Sequence, residues 1–260
     1  MKRLFLGLQA EAPWPEEFPP ARILAEESRH MTVVFLGDVE AEPLIEALPS
    51  FPPPPFPLGL LGYTDQLLFL PPKHPHVVAY HINLAEHRAR LAQFQQTLIL
   101  WLKTLGYSIK DERPFLPHVT IARSPLSKAR WKLSLMPVVF NKIHLYESLG
   151  NLTYKSLWNY SLVPPFEEQE HTADVAFLVR GTTLQELCTH AKGALAFLFP
   201  AIQTFFSREA VASFEEIVMH LNVAIAKADE MHGCPFKAVS FHGAIQHIND
   251  LLEWEMIVDV

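Results

Sequence analysis

Two short stretches set an imidazole and a hydroxyl two residues apart inside apolar runs: His30 and Thr32 in "SRHMTVVFLG", and His118 and Thr120 in "RPFLPHVTIARSP". Successive side chains of a strand point to opposite faces, so His30 and Thr32 share one face while Met31 and Val33 share the other. His118 and Thr120, with Val119 and Ile121, repeat this 88 residues later. Side by side, the two strands would offer two imidazoles and two hydroxyls to one phosphate. One imidazole can take a proton from an attacking water while the other gives one to the leaving oxygen, and the hydroxyls can hold non-bridging oxygens. With 13 histidines in the chain a single His-x-Thr means little, but two in matching contexts point to a site. His74, His76, His81, His87 and His144 lack the pattern and read as surface or turn residues.

The elements that must position these groups alternate β-like runs with turns: "RLFLGLQ", "MTVVFLG", "FPLGLLGY", "LLFLPP", "HVVAYHINL", "PHVTIARS" and "VVFNKIHLYES". One helix is predicted among them, from Leu91 through Phe94, Leu98, Ile99, Trp101, Leu102 and Leu105, stopped by Gly106. The proline run at 51–57 reads as a stiff connector. Antiparallel strands with a packed helix give an α+β class. A boundary is expected at "LVPPFEEQE", which divides the chain into residues 1–163, a linker at 164–169 and residues 170–260. In the second part, strand-like "ADVAFLVR" leads into the capping box Thr183-x-x-Glu186, and Ser213-x-x-Glu216 opens a second helix that ends before Gly233. "FKAVSFHGA" and "LEWEMIVDV" read as closing strands.

Composition narrows the possibilities. At 260 residues, 49% hydrophobic and 19% charged, the chain has room for two globular domains and is not of disordered type. "MKRLFLGLQAEA" imitates a signal peptide, but Leu4 to Leu8 is shorter than the roughly 7–15 apolar residues one needs, and no stretch suits a membrane span. Cys188 and Cys234 are too few for a disulfide framework, so a reduced, cytoplasmic protein is expected. The net charge of −7 is uneven: residues 1–165 hold 16 Lys and Arg against 14 Asp and Glu, whereas residues 166–260 hold 5 against 14. A mildly basic first half suits a phosphate-bearing chain end more than a long duplex, and the acidic half suits a cation or a basic protein surface.

The order of "RLFLGLQ", "RHMTVVFLGDV", "FPLGLLGY", "GYSIKDERPFLPHVTIAR" and "IHLYES" over residues 1–163 resembles the two-histidine (2H) phosphoesterase superfamily, specifically the LigT-like RNA 2′,3′-cyclic phosphodiesterases. The resemblance implies a bilobal fold, two antiparallel sheets around a cleft with helices outside. It implies hydrolysis of RNA 2′,3′-cyclic phosphate ends to 2′-phosphates, with 2′,5′ RNA ligation as an associated reaction and no cofactor. His30 would then be the proton donor to the departing 3′-oxygen and His118 the proton acceptor that activates water, roles the pattern alone does not assign. Thr32 and Thr120 would hold phosphate oxygens, and Arg123 would add positive charge. Strict alternation puts Arg123 on the face opposite His118, so this last role requires the strand to end or bulge first. A small cyclic nucleotide or 2′,5′-oligoadenylate as substrate, or a non-catalytic adaptor for an RNA ligase, are the rival readings.

In the acidic half, Asp174 stands at a strand start and Asp259 beside Val260, an oxygen set that suits Ca²⁺ or Mg²⁺ better than zinc. Solvated strand-end carboxylates would look the same. "EHTADVAFLVRGTTLQELCTHAKGALAFLF" and "FKAVSFHGAIQHINDLLEWEMIVDV" resemble archease, a small activator of RtcB-type RNA ligases, with a shorter middle. The resemblance implies a metal on Asp174, Asp259 and Val260, and a part for Lys237 in ligase activation. Both halves thus point to broken, tRNA-derived RNA with cyclic phosphate ends and to an RtcB-type ligase as partner; neither DNA nor a membrane is expected.

Overall fold

The computed structural model describes residues 1–85, 87–109, 114–171, 174–241 and 244–260. Its strands are β1 Lys2–Gln9, β2 Arg22–Ile23, β3 His30–Val39, β4 Leu60–Leu70, β5 Val77–Asn83, β6 His118–Arg123, β7 Pro137–Phe140, β8 Lys142–Gly150, β9 Thr153–Ser161, β10 Phe166–Gln169, β11 Val175–Gly181, β12 Ala238–Val239, β13 Gln246–Ile248 and β14 Leu251–Asp259. The helices are α1 Glu42–Ala47, α2 His87–Thr104, α3 Leu184–Leu198 and α4 Phe214–His232. The class is α+β, with antiparallel sheets. Two compact units divide the chain, one of Met1–Ser134 with Val138–Val163, the other of Leu135–Pro137 with Pro164–Val260. Among the described residues, no helix is long and apolar enough to cross a membrane.

The first unit holds two sheets, in strand order β3-β1-β8-β9 and β2-β6-β5-β4-β7. The two His-x-Thr strands fall in different sheets, β3 at the edge of the first and β6 inside the second. Their alternate residues build the core: Met31, Val119 and Ile121 are fully buried, as are Leu4, Leu6 and Leu8 of β1. Helix α2 buries Leu91, Phe94, Leu98 and Leu102, the stripe its spacing predicts, and starts one turn before it. The two expected runs "FPLGLLGY" and "LLFLPP" are one strand, β4. The polar "TDQ" between them reads as a break, yet Thr64 is buried and its hydroxyl donates to the Ser134 carbonyl at 2.6 Å, while the pairing with β5 shifts register around Asp65. Strand β9 was not expected; it closes an edge and alternates weakly because little of it is buried.

In the second unit β10-β11-β14-β12 form one sheet, with β13 also pairing β14. The segment 164–169, expected as a linker, corrects to a strand from Phe166 onward: Phe166 is buried, its ring edge-on to Phe177 and Phe197, and β10 pairs with β11. Both predicted N-caps form, while the Glu186 and Glu216 carboxylates accept from the amides one residue before the caps, those of Thr182 and Ala212. The Thr183 hydroxyl accepts from the Glu186 amide and the Ser213 hydroxyl from the Glu216 amide, at 3.1 and 3.2 Å. Gly233 ends α4 at φ +70°, a left-handed conformation open to glycine. Of the expected strand "FKAVSFHGA" only Ala238–Val239 is strand, and residues 242–243 lie outside the described residues.

Candidate active site

In strands β3 and β6 the histidine is the first residue of the strand, and its ring is fixed the same way in both. His30 Nδ1 lies 2.7 Å from the Ser28 carbonyl and His118 Nδ1 2.8 Å from the Leu116 carbonyl, each two residues upstream. A carbonyl oxygen can only accept, so each Nδ1 carries the proton and each Nε2 carries the ring's accepting lone pair. A cavity of about 690 Å³ lies between the two sheets of the first unit, walled in part by Thr32 and Phe35 of β3, Leu70 and Val77 of the second sheet, Gln95 of α2, and His118. His30 is 9% exposed and is not among the residues that wall this cavity.

The register settles where Thr120 and Arg123 point. In the β5–β6 ladder Ala79 faces Thr120 and His81 faces His118, but the next pairs are Val78 with Ala122 and Val77 with Arg123. Ile121 is an extra residue, a bulge. Residues opposite each other across an antiparallel pair share a face, so His118, Thr120 and Arg123 face the same way as His81, Ala79 and Val77. The bulge that the arginine role requires is present. Arg123 Nε is buried with no hydrogen-bond partner among the described residues, a donor available to an anion.

Burial dominates the electrostatics. Desolvation pushes the His30 imidazole down to about 4, against the bond to the Ser28 carbonyl, and the nearby charges of His118, Arg123 and His144 add to that lowering. The rings of Phe5, Tyr146 and Tyr154 surround it, with centroids 4.7, 5.3 and 4.8 Å away. Gly7, opposite Thr32, lies close against backbone: a Cβ there would meet the Met31 carbonyl at 3.2 Å, and the His30 ring only at an ordinary contact distance of 3.5 Å.

Several residues here carry no local sequence signal. His144, read as a surface or turn residue, is buried on β8; its Nδ1 lies 2.7 Å from the Ser156 hydroxyl, its Nε2 3.1 Å from Gln9 Oε1, and its ring stacks on Tyr146. Desolvation lowers its pKa, and the Lys142 charge adds to this. His81, likewise misread, donates from Nδ1 to Asp65 at 2.6 Å beside His118. Arg29 is 3% exposed, its guanidinium set over Trp14 at 4.8 Å and Phe18 at 5.2 Å, and its Nε donates to the Leu24 carbonyl; it anchors the turn that delivers His30.

In the second unit the expected residues gather at one end of the sheet. Lys237 Nζ donates to the Val260 oxygen at 2.6 Å and lies 3.8 Å from Asp259 Oδ1, while the Lys237 amide donates to the Asp259 carbonyl. Asp174 directly precedes Val175, which pairs with Val258, and so stands at the same sheet end. Oxygen donors are of the kind a hard cation takes, and two of them have the Lys237 ammonium as their partner.

No protein-family model matches the chain, and no curated protein matches it. Among solved structures it is similar to one described as a phosphoesterase, at 22% identity over 62% of this chain and 98% of that one, with a TM-score of 0.48. Escherichia coli LigT complexed with 3′-AMP has the same identity and coverage and a TM-score of 0.46. TT0787 of Thermus thermophilus is 21% identical over 62% of this chain and 97% of that one, with a TM-score of 0.45.

The depressed titration of His30 has a measurable consequence. Its ordinary value of 6.5 applies to the unfolded chain, so the neutral buried ring contributes stability above pH 6.5 that is lost as pH falls towards about 4. The contribution is on the order of 3 kcal/mol. In the free protein the His30 ring proton should titrate near 4 by NMR, and denaturant midpoints should fall less steeply between pH 6.5 and 4.5 in His30→Gln. A midpoint near 6.5 would show a solvated ring instead.

Proposed function

We propose that the first unit is a phosphodiesterase that opens the 2′,3′-cyclic phosphate at an RNA end to a 2′-phosphate, with 2′,5′ RNA ligation as an associated reaction in which a 5′-hydroxyl attacks in place of water. One observation carries the reading: two His-x-Thr strands on facing sheets of one unit, each histidine presenting Nε2 by the same Nδ1-to-carbonyl bond. Water attacks phosphorus, His118 Nε2 takes its proton, the P–O3′ bond breaks, and the His30 imidazolium gives a proton to the departing oxygen. Thr32, Thr120 and Arg123 hold the non-bridging oxygens. A neutral His30 must gain its proton with the substrate, and the phosphate's negative charge favours that gain.

His118→Ala and His30→Ala should each reduce hydrolysis of a cyclic-ended RNA by about 100- to 10,000-fold, the usual range for lost acid–base catalysis. The roles separate on a nitrophenyl phosphodiester, whose leaving group needs no proton: His30→Ala should recover most of its loss there, and His118→Ala should not. Near-normal hydrolysis of cyclic-ended RNA by His118→Ala would remove the reading.

RNA is favoured over a small cyclic nucleotide by charge placement. From Pro114 to Tyr146 the chain carries Arg123, Lys128, Arg130, Lys132 and Lys142 and no acidic residue. Lys128, Arg130 and Lys132 are exposed. This edge adjoins the cavity: the Ser124 amide donates to the His76 carbonyl, His76 is on the cavity wall, and Lys128 Nζ lies 5.5 Å over Phe69. Replacing Lys128, Arg130 and Lys132 by Ala should lower kcat/KM for a short cyclic-ended RNA and flatten its logarithmic salt dependence by about 2, at roughly 0.7 per phosphate contact on a single strand. Equal effects on a cyclic mononucleotide would favour the small substrate.

For the second unit we propose an archease-like role: activation of an RtcB-type RNA ligase acting on tRNA-derived ends, with Ca²⁺ or Mg²⁺ held by Asp174, Asp259 and Val260 and with Lys237 as a contact residue. The cation would neutralise the acidic end of the sheet. The protein should stimulate such a ligase, Asp174→Ala should abolish the stimulation, and calorimetry should show Ca²⁺ binding weakened in Asp259→Asn. Absence of stimulation by the unmutated protein would sink this reading.

A further inference from the structure

The sheet face that carries His118 and Thr120 continues past β6. His81 of β5 stands opposite His118. In the β4–β5 ladder Thr64 faces Ile82 and Gln66 faces His81, so Asp65 is an extra residue, and Asp65 and Gln66 together oppose His81. Residues opposite each other across an antiparallel pair share a face. His118, His81 and Gln66 therefore form one polar row across three strands, at about 5 Å per strand. The neighbouring positions of β5 on this face, Ala79 beside Thr120 and Val77 beside Arg123, are apolar and buried.

His81 is held so as to present one atom. Its Nδ1 donates to Asp65 Oδ1 at 2.6 Å, which fixes the tautomer and the ring together. Its Nε2 makes no hydrogen bond among the described residues and is not enclosed, so it opens to solvent. The nature of the holder sets this ring apart from His30 and His118, whose Nδ1 atoms are held by neutral carbonyls. When the His81 ring carries its second proton, Nε2–H donates to an anion and the Asp65 carboxylate balances the added charge. Gln66, next in the row, is exposed and offers a further amide donor.

We infer that His81, held by Asp65, binds the phosphodiester that joins the cyclic-ended nucleotide to the nucleotide before it. The inference rests on the phosphodiesterase reading of His30 and His118, and it assigns a specificity-determining residue outside both His-x-Thr strands. With the cyclic phosphate at His118, the preceding phosphate is the next anion along the substrate, and His81 is the next donor along the row. His81 takes no part in the proton transfers. It selects a cyclic phosphate that ends a chain over one on a free nucleoside, and it does so at one linkage, whereas the exposed Lys128, Arg130 and Lys132 act on the chain's charge as a whole.

Two dinucleotides with the same bases and the same cyclic end provide the test, one joined by a phosphodiester and the other by a methylphosphonate, which keeps the shape of the linkage and removes its charge. The unmutated protein should favour the phosphodiester in kcat/KM. In His81→Gln that preference should fall by about 10-fold, as expected for the loss of a hydrogen bond to a charged group, and Asp65→Ala should lower it as well because the ring loses its holder. Both rates are read on one preparation, so any loss of folded protein cancels in the ratio. An unchanged ratio in His81→Gln would overturn the inference even if both rates fell, since His81 would then only support His118. If the unmutated protein hydrolyses neither compound, the phosphodiesterase reading fails by itself and calorimetry decides the inference. His81→Gln should then weaken binding of the 2′-phosphorylated phosphodiester dinucleotide relative to its methylphosphonate counterpart by a similar factor, and equal weakening of both would overturn it.

Discussion

A neutral imidazole has one nitrogen that donates and one that accepts, and nothing in the ring itself decides which is which. In the cleft the decision is made by backbone. Each histidine is the first residue of its strand, so the chain just upstream is turning, and the carbonyl two residues back is directed at Nδ1. That bond fixes the tautomer and the ring's orientation together. The Arg29 anchor between Trp14 and Phe18 and the rings of Phe5, Tyr146 and Tyr154 all hold His30 in the one orientation the bond defines.

The same packing creates an electrostatic tension. A ring enclosed by aromatics and a guanidinium resists protonation, yet the proposed donor must carry a proton. The substrate can relieve this, because a phosphate oxygen anion placed among His30, His118 and Arg123 reverses the sign of the local field. Protonation and substrate binding are then coupled through a single charge. The arrangement also disfavours an imidazolium in an empty cleft, where it would have nothing to protonate.

Much of the site was legible in the sequence because strand alternation is a local rule: His30, Thr32, His118 and Thr120 followed from a period of two and from repetition. The N-caps at Thr183 and Ser213 were legible for the same reason. What escaped depends on pairing partners distant in the chain. His144 and Gln9 are 135 residues apart and meet only because β1 pairs with β8. Asp65 and His81 meet across a register shift, and β10 looked like a linker because its buried phenylalanine finds partners only in the folded unit.

The bulges show the limit most clearly. A period of two offers His118, Thr120 and Ala122 to one face and leaves Arg123 on the other. An arginine on the core face would be buried among Val119 and Ile121 without a partner, at a cost of several kcal/mol. A bulge at Ile121 costs one unpaired ladder position and turns Arg123 to the face of His118 and Thr120, where its buried Nε, without a partner among the described residues, would be satisfied by an anion. In β3 no charge compels the shift, since Phe35 could have joined the core. The bulge nonetheless occurs there as well, at Val33 directly after the threonine, so the shift in β3 is not explained by the burial of a charge.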